Sequence, residues 1–317
     1  MRTLTMRFAS FLGCLLLPLF VPQLQAQTLT RTFISGLGSD SNPCSRAQPC
    51  MTLSGALANT SSGGEIDVLD ATELLTAGTN PLTITKSVSI IGAGARGGVT
   101  GELIISPPAG GQVLLKGLDI NANNQVGVSV TTSVGITLIV EDCTIINGIT
   151  GINFNPGLST ATSYLVVRNS TIDNNKASPS GNVGGVVIQP GSTGPSIAVL
   201  EGVHVNGNYV GVWAFDYANV TIRNSVMSQS TFAGVKSQSN LGATVTVLIE
   251  HSQSSHNGSN GVVAVGTGAV ARISDVTITD NVNGLVTGSG GSIISFGNNS
   301  LDGNGTNGAP TSTITLK

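Results

Sequence analysis

The sequence predicts an all-β chain wound into a single-stranded right-handed parallel β-helix, a solenoid of about nine coils with an N-terminal cap that contains a short helix. Three observations predict it. Related segments recur at steps of 22 to 33 residues. Apolar residues alternate with period two on either side of a turn residue in each segment. No helical run of three turns lies between the segments, which excludes a βαβ crossover architecture.

Residues 1–26 open with Arg2 and Arg7, run through an apolar stretch from Phe8 to Val21 and end at Ala26, the pattern of a secretory signal peptide cut near Ala26–Gln27. The stretch is short for a membrane span, so the expected location is secreted or periplasmic. Removing Arg2 and Arg7 from the 13 Lys and Arg leaves 11 against 16 Asp and Glu, a net charge near −5. That balance argues against nucleic acid or anionic lipid as a partner. Residues 27–80 are expected to form a capping coil and helix. Within them Leu53, Ala56 and Leu57 share one face of a helix from Thr52 to Asn59, placed to plug the open end of the stack. In an oxidising compartment Cys44 and Cys50 can close a small disulfide loop, which leaves Cys143 as an unpaired, buried thiol.

Residues 81–317 carry the repeat. Copies such as LLKGLDI, IVEDCTI and VVRNSTI anchor on Gly117, Asp142, Asn169, Gly202, Asn224, His251, Asp275 and Asn298, with an earlier copy centred on Ser87. Two residues before the anchors stand Leu115, Val140, Val167, Leu200, Ile222, Ile249, Ile273 and Phe296. Four before them stands a second apolar column, from Val113 to Ile294. Positions between these columns are expected to be mostly polar. Apolar residues resume three after the anchor, so two short strands face inward and meet at a corner, where Gly, Asn and Asp tolerate left-handed backbone angles.

A third strand opens on Gly and an aliphatic residue, from Gly98-Val99 and Gly127-Val128 to Gly284-Leu285. Ahead of that glycine, Asn123, Asn175, Asn208, Asn257, Asn281 and Asn304 are placed to form a ladder of side-chain amides from coil to coil. Just before the anchors, Lys116, Glu141, Arg168, Glu201, Arg223 and Glu250 alternate in sign, which reads as an outer ladder that holds register.

These features resemble the pectin-lyase-like superfamily, in particular bacterial exported right-handed β-helix repeat proteins. Arg31-Thr-Phe-Ile-Ser, Gly38 to Cys44, Pro49-Cys50 and Gly63-Gly-Glu-Ile-Asp-Val-Leu69 are similar to the capping coil with which such proteins begin. The resemblance covers residues 31–317 and implies a fold more than a chemistry. The lyases and hydrolases of that superfamily need a base beside a bound Ca²⁺, or clustered Asp residues with His and a basic partner. The sequence contains no Asn-Thr-Asp, Asp-Asp, Gly-His-Gly or Arg-Ile-Lys motif.

The segment most suggestive of binding is Tyr209 to Tyr217, which holds the only Trp. Alternation directs Val212 and Ala214 inward and Trp213, Phe215 and Tyr217 outward, beside Asn153, Gln189, Lys236 and Gln238 of neighbouring coils. Rings beside amides suit stacking on sugars. The competing reading packs the rings under the longer loop of the fourth coil. The expected function is a non-catalytic exported module that binds a poly- or oligosaccharide or another surface. The alternative is a divergent polysaccharide lyase or glycoside hydrolase in which Lys236, Asp173 and His204 take part. Neither cofactor nor metal is implied. Gly92-Ala-Gly94-Ala-Arg-Gly97 has dinucleotide-loop spacing without the helix such a site needs. His251 and Asp275 read as stacked corner residues with His256 nearby, not as a ligand set.

Overall fold

The structure, a computed structural model, describes residues 28–75, 80–92, 94, 96–157, 160–176, 181–191 and 194–314. The signal peptide expected at residues 1–26 lies outside them. The chain coils into a parallel β-helix with three strands to a turn. One coil comprises Gln112–Lys116, Leu118–Asn121 and Val126–Thr131, and the next comprises Thr137–Glu141, Thr144–Ile146 and Thr150–Asn155. First strands stack on first strands, second on second and third on third, always parallel among the described residues. The first and second columns merge into one sheet because Val245–Ser255 and Ala269–Thr279 run through the corner unbroken. Third strands, from Leu82–Ile84 to Asn283–Gly288, make a second sheet.

Strand periodicity places the core. Leu115, Val140, Val167, Leu200, Ile222, Ile249 and Ile273 lie in register on successive coils and are buried in the bore. Each column fills the same slot coil after coil, so aliphatic residues recur there and polar ones are excluded. Corners depend on left-handed backbone. Gly117, Asp142, Asn169, Gly202, Asn224, His251 and Asp275 all have positive φ. A second corner absent from the sequence reading follows five residues later, with positive φ at Asn147, Asn174, Gly207, Gln229, His256 and Asp280. Small or short polar side chains tolerate that conformation best, and Gln229 and His256 are the costly members.

The two ends of the repeat differ from expectation by register. Val88–Ile91 pairs with Gln112–Lys116, so Val88 and Ile90 stand over Val113 and Leu115, and the corner of that coil is Gly92, not Ser87. The preceding Ile84 belongs to the second sheet, which is why the copy had seemed to centre on the turn between them. Gly92 therefore stands at that coil's corner, ahead of the strand Gly97–Thr100. Gly97–Thr100 pairs with Leu118–Asn121, which puts Gly98-Val99 among the second strands. At the other end Ile293 pairs with Ala271 and is buried, while Ile294 pairs with Arg272 and faces outward. The corner there is Gly297, with φ 81°, one residue before the expected Asn298. Pairing partners are 22 residues apart before this corner (Ala271 and Ile293) and 23 after it (Ile278 and Leu301), so the corner holds one extra residue.

Amide ladders line the turn into the third strand. Asn175 N and Nδ2 donate to Asn208 Oδ1 at 2.9 and 3.1 Å. Asn257 bonds Asn281 in the same way at 3.0 and 2.8 Å, and Asn281 bonds Asn304 at 3.0 and 2.9 Å. Ser230 interrupts the series; its Oγ is buried without a partner. Asn123 is not part of the ladder. It is exposed with φ 49°, and Ala122 is buried in its place. The cause is turn length. Asn121 and Ile146 pair across a 25-residue step, Val126 and Thr150 across 24, so the earlier turn carries an extra residue that pushes Asn123 outward. The ladder also explains the glycine that opens each third strand. A Cβ on Gly151 would lie 2.6 Å from the Gly185 carbonyl oxygen and 3.0 Å from Asn175 Nδ2, space already taken.

The charge column occupies adjacent rungs in register, from Lys116 and Glu141 through Arg168, Glu201 and Arg223 to Glu250. Ion pairs form between Lys116 and Glu141 (2.8 Å), Arg223 and Glu201 (3.1 Å) and Arg168 and Glu201 (3.8 Å). All these groups reach solvent, so each pair is worth under about 1 kcal/mol and acts mainly on register. The position between the two inward columns is not mostly polar as expected. Leu114, Ile139, Val166, Val199 and Leu248 occupy it on the outer side of the first sheet.

At the N-terminal end, Leu53–Asn59 forms helix α1, with Leu53, Ala56 and Leu57 buried. Thr52 Oγ1 accepts from Gly55 N at 3.1 Å and donates to Asp40 Oδ2 at 2.7 Å. Lys86 Nζ donates to the carbonyls of Leu57 and Thr60 at the helix end, 2.8 Å each. Leu29–Ile34 and Thr60–Val68 pair with each other, and Thr60–Val68 pairs with Val88–Ile91, so the cap continues the first sheet. Cys44 and Cys50 form a disulfide before the helix. Cys143 is a free, buried thiol whose pKa burial pushes up to about 11.

Candidate functional site

The outer face of the second sheet is built by strands that send every second residue away from the bore. In register along it stand Ser129, Asn153, Val187, Trp213, Lys236, Val263 and Val286. A parallel row holds Thr131, Asn155, Phe215, Gln238 and Val265, with Gln189 just beyond the strand Val186–Ile188. Val212 and Ala214 point into the core, and Trp213 and Phe215 point out.

Pointing out does not expose them. Trp213 retains 6% of its surface and Phe215 retains 4%. Their rings stack at 4.8 Å between centroids and form a second apolar cluster with Val187, Val210, Ala233 and Val263, flanked by Tyr209, Phe232, Val265 and Val286. Rungs about 4.8 Å apart bring each ring against the side chains above and below it. The rings lie down on those neighbours, because that removes apolar area from water. They offer no open platform for a sugar ring. Tyr217 leaves the row altogether. It sits in the turn after the strand with φ 67°, its N–H donating to Thr244 O at 2.9 Å.

Lys236 is the polar centre of the cluster. Its Nζ sits 4.1 Å from the Trp213 ring centroid and 5.3 Å from that of Phe232, a cation held on aromatic faces. No carboxylate lies within ion-pair distance of it among the described residues. Burial lowers its pKa to about 8. Two polar atoms beside it, Trp213 Nε1 and Gln238 Oε1, are buried without a hydrogen-bond partner. One rung beyond Val187, Asn153 lines an open cleft of about 370 Å³ with Thr131, Thr132, Ser133, Asn155 and Gly157. Gln189 Oε1 accepts from Asn182 Nδ2 at 3.0 Å. The fold thus brings Trp213, Phe215 and Lys236 together, with Gln189 on the adjoining rung and Asn153 one rung farther on.

Asp173 and His204 belong elsewhere. They lie on second strands on neighbouring rungs, on a different face from Lys236, so the three do not form one catalytic group. His251 and Asp275 stack at one corner (3.6 Å) and His256 and Asp280 at the other (3.6 Å). Among the described residues no group of three or more His, Cys, Asp or Glu is placed to hold a metal ion.

Residues 157–313 match the family described as right handed beta helix region. A search of curated proteins gave no match. Among solved structures, pectate lyase Pel9A superposes with a TM-score of 0.60 at 17% identity, over 90% of this chain and 80% of that one. A rhamnogalacturonan lyase superposes with a TM-score of 0.60 at 16% identity, over 78% of this chain and 73% of that one. At such identities the likeness is one of fold. With three stacked parallel strands to a coil, the chain is a right-handed parallel β-helix protein of pectin-lyase-like fold.

Proposed function

We propose that this chain is an exported, non-catalytic module that binds poly- or oligosaccharide on the outer face of its second sheet. The observation that carries the reading is Lys236, an ammonium seated on Trp213 and Phe232 with no carboxylate partner among the described residues. A saccharide presents acceptor oxygens and apolar C–H faces together; the half-buried amine answers the first, and the partly exposed rings of Tyr209 and Phe232 beside it answer the second. The Asn153 cleft extends the polar surface along the same face. The names of the two structural relatives, lyases of pectate and of rhamnogalacturonan, point to the same class of ligand.

The test is retention of the purified mature chain on a panel of acidic and neutral soluble polysaccharides, pectate included. The variant Lys236→Met keeps the stem and removes the charge. Retention of the native chain, weakened roughly ten-fold in the variant, supports the site. Equal retention of both proteins removes it.

A catalytic second reading rests on the same lysine. With a pKa of about 8, roughly a tenth of the amine is neutral at pH 7 and able to take a proton. New unsaturated chain ends from the native protein, absent with Lys236→Met, would replace the binding reading with that one.

A further inference from the structure

The geometry points to the outer face of the first sheet as the interface of a two-fold symmetric dimer of this chain. It is a different face from that assigned to saccharide, and it rests on different residues.

Three outward columns cover it. The middle column is Leu114, Ile139, Val166, Val199, Thr221 and Leu248. One flank is Gln112, Thr137, Tyr164, Ile197, Asn219 and Thr246; the other is the charge ladder from Lys116 to Glu250. Nothing among the described residues makes the middle column part of the core, and Tyr164 and Ile197 are 44% and 36% exposed. An aliphatic stripe with a polar rim on one side and a charged rim on the other has the anatomy of a protein interface.

The charge order names the occupant. Lys116, Glu141, Arg168, Glu201, Arg223 and Glu250 are six rungs alternating in sign. An even alternating series, turned end over end, opposes its own image with the opposite charge at every rung. A two-fold axis along the strand direction, passing between the rungs of Arg168 and Glu201, does this. It sets Lys116 against Glu250 of the second copy, Glu141 against Arg223 and Arg168 against Glu201. The same rotation lays Val166 on Val199, Leu114 on Leu248 and Tyr164 on Ile197, so the two most exposed apolar side chains of this face meet at the centre. Aligned sheets cross at about 30°, which keeps the central rungs in closest contact. A two-fold axis along the solenoid instead would move the ladder across to the uncharged flank. Only the end-over-end arrangement is self-complementary, as an isologous interface must be.

Six rungs about 4.8 Å apart and strands of five residues give roughly 500 Å² of flat area per copy, against about 800 Å² for a standard interface. The association is therefore reversible, in the micromolar range.

Sedimentation velocity of the mature chain across that range tests it, using a charge-swap pair. Arg168→Glu alone opposes glutamates across the axis, and Glu201→Arg alone opposes arginines, so each variant is monomeric where the native chain dimerises. Mixed in equal amounts, the two variants restore opposite charges and reform the dimer. Tyr164→Ser with Ile197→Ser, which leaves every bore residue intact, weakens association by roughly ten-fold or more. A native chain that stays monomeric throughout, single variants that still dimerise, or a mixture that does not reassociate overturns the proposal.

Discussion

Replacing Asn281 with alanine removes the most connected rung of the amide ladder. Its Oδ1 accepts from Asn257 N at 3.0 Å and from Asn257 Nδ2 at 2.8 Å. Its Nδ2 donates to the carbonyls of Ser254 and Thr279, at 3.0 Å each, and to Asn304 Oδ1 at 2.9 Å. Asn257 and Asn281 are both buried, so water does not replace these partners. The variant leaves the Asn257 main-chain N–H without its acceptor, at about 1–3 kcal/mol, and strips one bond from Asn304 Oδ1, at about 1 kcal/mol. The void left by the amide adds roughly 0.5 kcal/mol. The sum is about 2.5–4.5 kcal/mol. Asn123→Gly is the internal control, because the same residue type at the same offset in its repeat is exposed there and glycine keeps its positive φ, so it should cost under about 0.5 kcal/mol. Urea unfolding followed by circular dichroism compares the two. Exchange of the Asn257 amide hydrogen adds a local readout, since a solenoid can unfold from one end. Equal destabilisation by both variants, or a loss under about 1 kcal/mol at Asn281, would show that the ladder is not what secures this turn.

Ser230→Asn should raise the unfolding midpoint, by about 1 kcal/mol, because the partnerless Ser230 Oγ sits where an amide would join Asn208 to Asn257; a fall would mean the turn has no room for it. Cys143, buried with its pKa at about 11, should resist aromatic disulfide reagents at pH 8 in the native chain and react fully in denaturant. Lys236 has a folded pKa of about 8 against 10.5 for an ordinary lysine, so the unfolded chain holds a proton that the folded chain gives up. Its penalty is fully present below pH 8 and fades as pH rises to 10.5, so stability should climb across that window in the native chain relative to Lys236→Met. Ligand retention through the ammonium should fall across pH 8.

The bore was legible because one slot is filled again and again. Leu115, Val140 and Val167 each have aliphatic copies at the next coil, and a one-residue slip would turn every one of them outward. The same logic fails at the ends. Ser87 was taken for a corner that belongs to Gly92, and Asn298 for one that belongs to Gly297, because a terminal copy has a neighbour on only one side and corner length varies by a residue. Asn123 was misplaced for the same reason, within a turn one residue longer than the next.

The outer faces obey no such repetition, and there parity and exposure come apart. Alternation correctly turned Trp213 away from the bore, but its burial depends on Val187 one rung before and Lys236 one rung after, residues 26 and 23 positions away in the chain. Reading down the bore columns cannot show that contact, whereas reading down the outward column through Asn153, Val187, Trp213, Lys236 and Val263 would have shown large apolar neighbours on both sides. The stripe at Leu114, Ile139, Val166, Val199 and Leu248 was open to the same reading. Its residues fall at one fixed offset, between the two columns that fill the bore. In a solenoid the inward columns are dictated by a space every coil must fill. A run of aliphatic side chains in an outward column meets no such demand from the fold: on the second sheet Val187 and Val263 pack with Trp213 and Phe215, and on the first sheet the proposed second copy covers Leu114, Ile139, Val166 and Val199.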